Sequence, residues 1–308
     1  LPEEVKKQCK EAYFNLCEQC GIKVLDVAVR SSATAEDLPT ASFAGRMESF
    51  LNISGLEQLL DAIHRCYISL FTDRAIKYRH DMGFVDMDIA ISAGVQQMVR
   101  SDKASSGVAF TIDPDSGFKS TIVINSIWGL GENIVQGRVT PDEWTIFKPI
   151  LKDGKYDPIL RNHCGKKEFT MVYAHKSDTL SAEKTIINND TSEEKKNELS
   201  LNRAEVITLA NWCLQIEKHY GKAMDIEWAK DGLNHQLYIV QARPETVHAK
   251  GKKQVHEIYK LSEKSKLLAS GIALGDKIAS GKARILKSPL EGDQLLQGEI
   301  LVTDITNP

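Results

Sequence analysis

The sequence predicts a mixed α/β protein, and three observations support this fold class. Apolar residues recur at helical spacing over residues 1–20, 56–78 and 205–220. Short apolar runs of strand length lie between and after these segments, separated by stretches rich in turn-forming residues. The 308 residues, of which 42% are hydrophobic and 26% charged, are enough to bury a large core. A disordered chain, a coiled coil and a collagen-like repeat are therefore excluded.

The first half of the chain alternates between the two kinds of element. In order, it is predicted to contain a helix over 1–20 that Gly21 ends, a strand over 24–29, a polar loop of small residues over 30–46, a strand over 50–53, one long helix over 56–78, and strands over 88–99, 107–112 and 121–125. A loop of small residues directly after a buried strand allows another group to approach the backbone closely. We therefore expect a ligand near residues 30–46.

The second half continues the pattern and then changes in composition. In order, it is predicted to contain a Gly-punctuated turn over 128–137 that opens a short helix, a strand over 143–147, a polar, irregular stretch over 153–190 with at most a hairpin, a helix over 205–220, and strands over 223–229 and 236–242 joined through Asp231-Gly232. A basic linker over 248–262 separates a first domain, 1–247, from the start of a small β-rich domain, 263–308.

The charge balance gives no reason to expect a nucleic acid partner. The chain has 39 Lys and Arg against 42 Asp and Glu, a formal net charge of −3. No stretch approaches the roughly 20 apolar residues that a membrane helix needs, and the N-terminus lacks the pattern of a secretory leader. We therefore expect a cytoplasmic protein with neither a nucleic acid nor a membrane as partner.

The six cysteines are scattered along the chain, as expected of reduced thiols in the cytosol. Cys17 and Cys20 have C-x-x-C spacing, so a redox element is an alternative function. A thioredoxin-type motif follows a strand and opens a helix, whereas these two cysteines lie within a helical pattern. The eight histidines are dispersed without an orienting partner, so each is predicted to be a structural or surface residue.

Two familiar phosphate-binding loops are absent from the sequence. A dinucleotide fingerprint at Gly129-x-Gly131 would need a third glycine where Ile134 stands. The dipeptides Gly221-Lys222 and Gly281-Lys282 are followed by alanine, so neither forms a Walker A loop. A nucleotide would have to be bound by another architecture.

The strongest group of polar residues lies on the predicted hairpin near residue 230. On a strand of period two, Asp225 and Glu227 share one face, and Gln241 and Arg243 share a face of the partner strand. If Asp225 lies opposite Gln241, all four side chains converge. Carboxylate and amide oxygens suit Mg²⁺ that bridges phosphates, and a guanidinium suits the phosphates themselves. The alternative is that the four residues form the solvated face of an edge hairpin.

Arg30 ends a buried strand and begins the loop of small residues. As a ligand residue it would supply fixed positive charge, while the loop would present backbone N–H groups to a phosphate. The alternative is a salt bridge, the commoner role of an arginine at the end of a strand. The binding interpretation becomes stronger when Arg30 is considered together with the hairpin.

Several blocks of sequence resemble the phosphoenolpyruvate synthase (pyruvate, water dikinase) family of PEP-utilising enzymes. They are residues 29–39, 41–45, 128–132, 135–137, 141–143, 224–229 and 239–246. The resemblance implies an ATP-grasp nucleotide-binding domain, followed by a swivelling phosphohistidine domain and a pyruvate-binding barrel. The implied reaction converts ATP, pyruvate and water to phosphoenolpyruvate, AMP and phosphate through a phosphohistidine.

The same resemblance implies roles for individual residues and for two cofactors, ATP and Mg²⁺. Arg30 and Arg243 resemble the catalytic phosphate clamps, Glu227 and Gln241 the Mg²⁺ ligands, and Asp225 the neighbour that positions metal or ribose. Further ATP-binding residues are implied in a glycine loop (Ser42, Gly45, Arg46), in the following helix (Arg74) and in an adenine-side hinge contacted mainly through backbone (Gln97, Met98, Val99). Phosphoryl transfer consists mostly of positioning and charge neutralisation, which agrees with these residue types.

The chain also departs from the whole family. It begins at Leu1 without the family's lysine-bearing N-terminal segment and stops at Pro308, before the phosphohistidine and the pyruvate barrel. We therefore interpret it as a fragment that cannot make phosphoenolpyruvate alone, and whose full-length enzyme is expected to be a homodimer. Two alternatives remain: a dikinase or phosphotransferase with another acceptor, such as phosphate or an antibiotic, and a non-catalytic nucleotide-binding module.

Overall fold

A computed structural model describes residues 1–34, 49–81, 89–153, 155–174, 185–245, 266, 278–286 and 289–303. The chain divides into two compact units, Leu1–Gly251 and Lys252–Pro308. The first unit combines antiparallel sheets with helices, which confirms the predicted α/β class. The predicted linker over 248–262 lies outside the described residues.

The N-terminal part of the first unit is a three-stranded antiparallel sheet with helices on one face. Its elements are α1 (Glu3–Gln19), β1 (Asp26–Ala33), β2 (Ser49–Ser54), α2 (Leu56–Ile68), α3 (Asp73–Asp81) and β3 (Ile91–Gln97), with strand order β2-β1-β3. Val27 and Val29 of β1 are fully buried in a core that contains Leu59 and Ile63 of α2. Because side chains alternate along a strand, Ala28 and Arg30 lie on the other face.

The long helix predicted over 56–78 is wrong, because the structure divides it. α2 ends at Ile68, a 3₁₀ turn follows over Ser69–Phe71, and Thr72 is extended with ψ 153°. The Thr72 hydroxyl accepts a hydrogen bond from the backbone N–H of Ala75 at 3.4 Å and so caps α3. The apolar periodicity continues across the break, which explains why the sequence pattern did not reveal it.

The second part of this unit is built on a six-stranded antiparallel sheet. Its elements are β4 (Ser105–Phe110), β5 (Thr121–Trp128), α4 (Glu132–Val135), β6 (Asp142–Phe147), α5 (Lys148–Asp153), β7 (Ile159–His163), β8 (Phe169–Tyr173), β9 (Ile186–Asp190), α6 (Glu193–Lys196), α7 (Arg203–Tyr220), β10 (Met224–Lys230) and β11 (Leu237–Pro244). The strand order is β11-β10-β4-β5-β6-β7, and β8 pairs with β9 in a separate two-stranded sheet. β11 therefore forms one edge of the large sheet.

Helix α7 packs on one face of this large sheet. Leu209 and Cys213 of α7 are fully buried against Ile124, Ile226 and Trp228 of the strands. The helix begins with a capping box between Asn202 and Glu205 and ends at Gly221, whose φ of 66° is left-handed. The predicted helix over 205–220 is thus confirmed, and the opposite face of the sheet carries the alternate residues.

The stretch over 153–190 was predicted to be irregular apart from a hairpin, and the structure contains that hairpin but also a strand, β7, before it. β7 extends the large sheet, and β8 and β9 form the hairpin. All three strands have only five residues, and β7 and β9 are rich in polar residues, so the apolar alternation over this stretch is weak. Pairing of β7 with the large sheet and of β8 with β9 stabilises strands that the local sequence pattern does not predict.

A fully buried ion pair connects β6 to the segments around it. Asp142 and Lys167 are 0% exposed, and the Lys167 ammonium donates to the Asp142 carboxylate. That carboxylate also accepts the backbone N–H of Gly165 at 2.9 Å and both the backbone N–H and the hydroxyl of Ser200 at 2.8 Å. Every charge in this cluster therefore has several partners, as a buried charge requires.

The second unit contains a parallel pair of strands, β12 (Lys282–Ile285) and β13 (Glu299–Val302), with a 3₁₀ segment over Pro289–Gln294 between them. Arg284 binds Glu299 through two hydrogen bonds of 2.7 and 2.8 Å. In the part of the chain that the structure describes, no helix has both the length and the apolar composition needed to span a bilayer.

Candidate functional site

The hairpin of β10 and β11 places the predicted polar residues in pairs. Asp225 lies opposite Arg243, and Glu227 lies opposite Gln241. The pairing of Asp225 with Gln241, on which the sequence analysis made the convergence of the four side chains conditional, is not formed, because Arg243 takes that position and Gln241 lies opposite Glu227. Met224, Ile226 and Trp228 are buried against α7, so Asp225 and Glu227 project from the opposite face of the sheet.

A β-bulge in β11 sets this register. Glu227 pairs with Gln241, but the next residue of β10, Trp228, pairs with Ile239. Val240 is thus an extra residue, and it lies on the edge strand of the sheet. Bulges reorient neighbouring side chains and are common beside functional sites.

Arg30 of β1 reaches this hairpin from the other sheet. Its Nη2 lies 2.9 Å from Glu227 Oε2 and also donates to Gln241 Oε1, while Nη1 lies 3.5 Å from the Val240 carbonyl oxygen. Both side chains of the Arg30–Glu227 ion pair are 25% exposed. A side chain 197 residues away in sequence therefore contacts this face, and the alternative of a plain solvated hairpin face does not describe the structure.

Arg243 supplies the second guanidinium. Its Nε and Nη2 lie 2.8 and 2.7 Å from Asp225 Oδ2. The two carboxylates that would repel each other thus each have a cationic partner, Arg30 for Glu227 and Arg243 for Asp225. The geometry brings together five of the predicted site residues, and we call this group the arginine–carboxylate cluster: Arg30, Asp225, Glu227, Gln241 and Arg243.

The oxygens of the cluster fit a hard divalent cation. Mg²⁺ binds through one or two carboxylates, amide oxygens and substrate phosphates, and it keeps several waters. Glu227 and Gln241 offer one carboxylate and one amide oxygen side by side. Among the described residues no group of three or more His, Cys, Asp or Glu could hold a metal ion, so such an ion would depend on phosphate oxygens to complete its coordination.

Gln96 is a neighbour of the cluster that the sequence analysis did not single out for binding. It lies opposite Ala28 in the β1–β3 pairing, so it shares a face with Arg30. Its Nε2 lies 3.5 Å from the Val240 carbonyl oxygen, the same oxygen that Arg30 approaches. The alternation of side chains along β3 would indicate that Gln96 shares a face with Arg30, but only if the pairing of β3 with β1 is known.

The residues of the predicted adenine-side hinge lie at the end of β3. Each of them bonds to a neighbouring segment of the chain: the Gln97 side chain accepts from Cys20 Sγ at 3.4 Å, the Met98 N–H donates to the Asp26 carbonyl at 2.9 Å, and the Val99 carbonyl accepts from the Ser101 N–H at 2.7 Å. Asp26 is four residues from Arg30 along β1, which corresponds to about 13 Å at ~3.3 Å per residue. Met98 therefore lies well along the sheet from Arg30, whereas Gln97 directly follows Gln96, and the role of the hinge stays a prediction.

Four other predicted residues cannot be placed relative to the cluster. Ser42, Gly45 and Arg46 lie outside the described residues, and Arg74 belongs to α3 but its side chain is outside the described part. Their implied roles stay predictions. The C-x-x-C pair is described: Cys17 is buried in the core beside β1, and Cys20 follows the last residue of α1. Neither follows a strand and opens a helix, as a thioredoxin-type motif would.

Comparison with known proteins gives consistent results. The family model described as "Pyruvate phosphate dikinase, AMP/ATP-binding domain" matches residues 1–263. Phosphoenolpyruvate synthase of Aquifex aeolicus is 48% identical over 319 aligned residues, which cover all of this chain and 36% of the relative. The enzyme of that name from Escherichia coli K12 is 47% identical over 99% of this chain and 38% of its own length.

A more distant relative extends the comparison. The probable phosphoenolpyruvate synthase of Methanocaldococcus jannaschii is 41% identical over the whole of this chain, which covers 24% of that protein. The chain thus spans well under half the length of the curated relatives it matches. The resemblance that the sequence blocks indicated is confirmed.

Proposed function

Because the chain belongs to the pyruvate phosphate dikinase AMP/ATP-binding domain family, we propose that the arginine–carboxylate cluster binds the phosphates of ATP with Mg²⁺. The observation that carries this proposal is the contact of Arg30 with both Glu227 and Gln241. It joins a guanidinium, a carboxylate and an amide oxygen from segments far apart in sequence. These are the groups that a metal-bound triphosphate requires.

Each residue has a distinct part in the proposed binding. Glu227 and Gln241 would hold the metal, and Arg30 and Arg243 would bind phosphate oxygens. Asp225, which is bonded to Arg243, would fix the direction of that guanidinium. Mg²⁺, when bound, supplies charge neutralisation for the phosphates.

The contacts of Arg30 suggest how the cluster accepts a ligand. The Arg30 guanidinium contacts the same two oxygens that we assign to the metal. We infer that Arg30 turns from these oxygens to the phosphates when a metal-bound nucleotide enters. The exchange keeps a cation beside Glu227 throughout, so its carboxylate is never left unpaired in a partly dehydrated site.

We propose further that this chain is the nucleotide-binding part of an enzyme that converts ATP, pyruvate and water to phosphoenolpyruvate, AMP and phosphate. The proposal rests on the names of the relatives, which cover the chain at 41–48% identity. The cluster as proposed binds the nucleotide only, and the proposal gives the phosphohistidine and the pyruvate site no place in it. A full-length homodimer and a cytoplasmic location belong to the same proposal. The relatives' names favour pyruvate over phosphate or an antibiotic as acceptor.

Titration calorimetry of the 308-residue chain with AMP-PNP, a non-hydrolysable ATP analogue, tests the nucleotide site. We expect binding that is strengthened by Mg²⁺ and weakened about 10- to 100-fold in Arg243→Gln and in Glu227→Gln, since a hydrogen bond to a charged group contributes about 1.5–3 kcal/mol. Arg203→Gln is the matched control, because its ion pair with Asp157 is 56% exposed on both sides. Unchanged affinity in both site variants would contradict the proposal.

A further inference from the structure

We propose that Gln96 is a positioning residue for the metal ligand Gln241 and that it acts through the backbone carbonyl of Val240. The inference rests on the proposed function of the cluster and adds a residue to it. Gln96 Nε2 and Arg30 Nη1 each lie 3.5 Å from this one oxygen. Both distances are long for hydrogen bonds, as expected where two donors share one acceptor.

The Val240 carbonyl is well placed to control Gln241. Val240 is the extra residue of the bulge, and β11 is an edge strand, so neither β10 nor another strand of the large sheet covers its outer side. The peptide that joins Val240 to Gln241 is planar and rigid. A donor that holds the carbonyl oxygen therefore also fixes the backbone from which the Gln241 side chain projects. Without such a donor, the bulged peptide is free to rotate and the amide oxygen loses its direction toward the metal position.

The two donors differ in what happens when ligand binds. Arg30 is charged and contacts Glu227 and Gln241, so in the proposed exchange it turns toward the phosphates and leaves the Val240 oxygen. Gln96 is neutral and half-buried on β3, so a phosphate attracts it far less strongly. Gln96 is then the donor that remains on the carbonyl in the bound state. Its contribution is accordingly small in the ligand-free chain and larger in the complex.

The test separates binding of the metal from binding of the nucleotide. Calorimetry measures the affinity of the 308-residue chain for AMP-PNP in EDTA and again in saturating Mg²⁺, and the ratio of the two affinities is the metal-dependent gain. We expect Gln96→Leu and Gln96→Glu, neither of which keeps the amide donor, to lower this gain about 10-fold, or about 1.4 kcal/mol. The affinity in EDTA should stay within about twofold, and the thermal midpoint of the free chain should be nearly unchanged.

Gln215→Leu is the matched control, since Gln215 is exposed on α7, which covers the opposite face of the sheet. The inference is overturned if the metal-dependent gain is unchanged in both Gln96 variants. It is also overturned if the affinity in EDTA falls by the same factor as the affinity in Mg²⁺, because Gln96 would then contact the nucleotide directly. If the unaltered chain shows no metal-dependent gain, the proposed function itself fails and this inference fails with it. Using two variants keeps the test decisive if one of them does not fold.

Discussion

Two ionic clusters of this protein involve similar side chains but differ in how they are held. Asp142 and Lys167 are completely buried, and the carboxylate accepts four hydrogen bonds, two of them from backbone N–H groups. Arg30 and Glu227 are each 25% exposed, and they meet through side chains from two different sheets. The first cluster is saturated and fixed, whereas the proposed function requires the second to exchange its cation. The difference teaches that partner number and burial, more than charge, separate an ion pair that anchors the fold from one that is open to exchange.

The largest effect on the free energy of unfolding is expected from Lys167→Met. This change leaves the Asp142 carboxylate buried without its cation, which costs about 3–5 kcal/mol of the free energy of unfolding. Urea unfolding monitored by circular dichroism measures the loss. Arg203→Gln, in an exposed pair, should change the same quantity by less than about 0.5 kcal/mol. A loss below about 1 kcal/mol in Lys167→Met would show that the buried pair is not a structural anchor.

A smaller effect on the free energy of unfolding is expected from Asp231→Asn in the β10–β11 turn. Burial alone would raise the pKa of Asp231, but hydrogen bonds from the backbone N–H groups of Arg100, Leu233 and Asn234 outweigh it and lower the pKa below 3.8. Because the pKa of Asp231 is lower in the folded chain than in the unfolded chain, the ionised carboxylate stabilises the fold at a pH above its unfolded-state pKa. This stabilisation is lost as the pH falls through the folded-state pKa.

Asp231→Asn should therefore lower the free energy of unfolding by about 1–2 kcal/mol at pH 7. The difference from the unaltered chain should shrink steadily below about pH 4. Urea unfolding at pH 7, 4 and 3 follows the change. A difference that is independent of pH would mean that these backbone donors do not act on the charged form of the carboxylate.

An effect on stability smaller than that of Asp231→Asn, but an informative effect on binding, is expected from Arg30→Gln. The free energy of unfolding should fall by less than about 1 kcal/mol, since the ion pair is partly exposed. The affinity of the free chain for Mn²⁺ should rise severalfold, because the guanidinium no longer competes for Glu227 and Gln241. Electron paramagnetic resonance of Mn²⁺ without nucleotide measures this affinity. A weaker affinity for Mn²⁺ would refute the proposed exchange of cations.

Local sequence pattern predicted much of the site. Period-two alternation placed Asp225 and Glu227 on one face, and the structure shows that Ile226 and Trp228 occupy the other. The hairpin itself was also predicted within one or two residues. The register was not, because Asp225 lies opposite Arg243 and not opposite Gln241, a difference of two residues. The bulge at Val240 accounts for one of these two residues, and nothing in the composition of β11 marks it.

Other differences have similar physical causes. The break between α2 and α3 depends on a hydroxyl cap at Thr72 within an uninterrupted apolar pattern. The strands β7 to β9 have five residues each, and β7 and β9 are rich in polar residues, so all three depend on pairing with their neighbours. Gln96 directly precedes the predicted hinge residues, but its contact with Val240 depends on how close the two sheets lie.

The sequence by itself determined the α/β class, the alternating faces of each strand and the family to which the chain belongs. These properties are local or reside in contiguous blocks, so they are readable without coordinates. Tertiary structure alone decided that Arg30 meets Glu227 and Gln241, that Arg243 pairs with Asp225, and that Gln96 shares an oxygen with Arg30. Periodicity specifies the face of the element on which a side chain lies, but not the residue of another segment that it contacts. Contacts between such distant segments therefore depend on the packing of whole sheets.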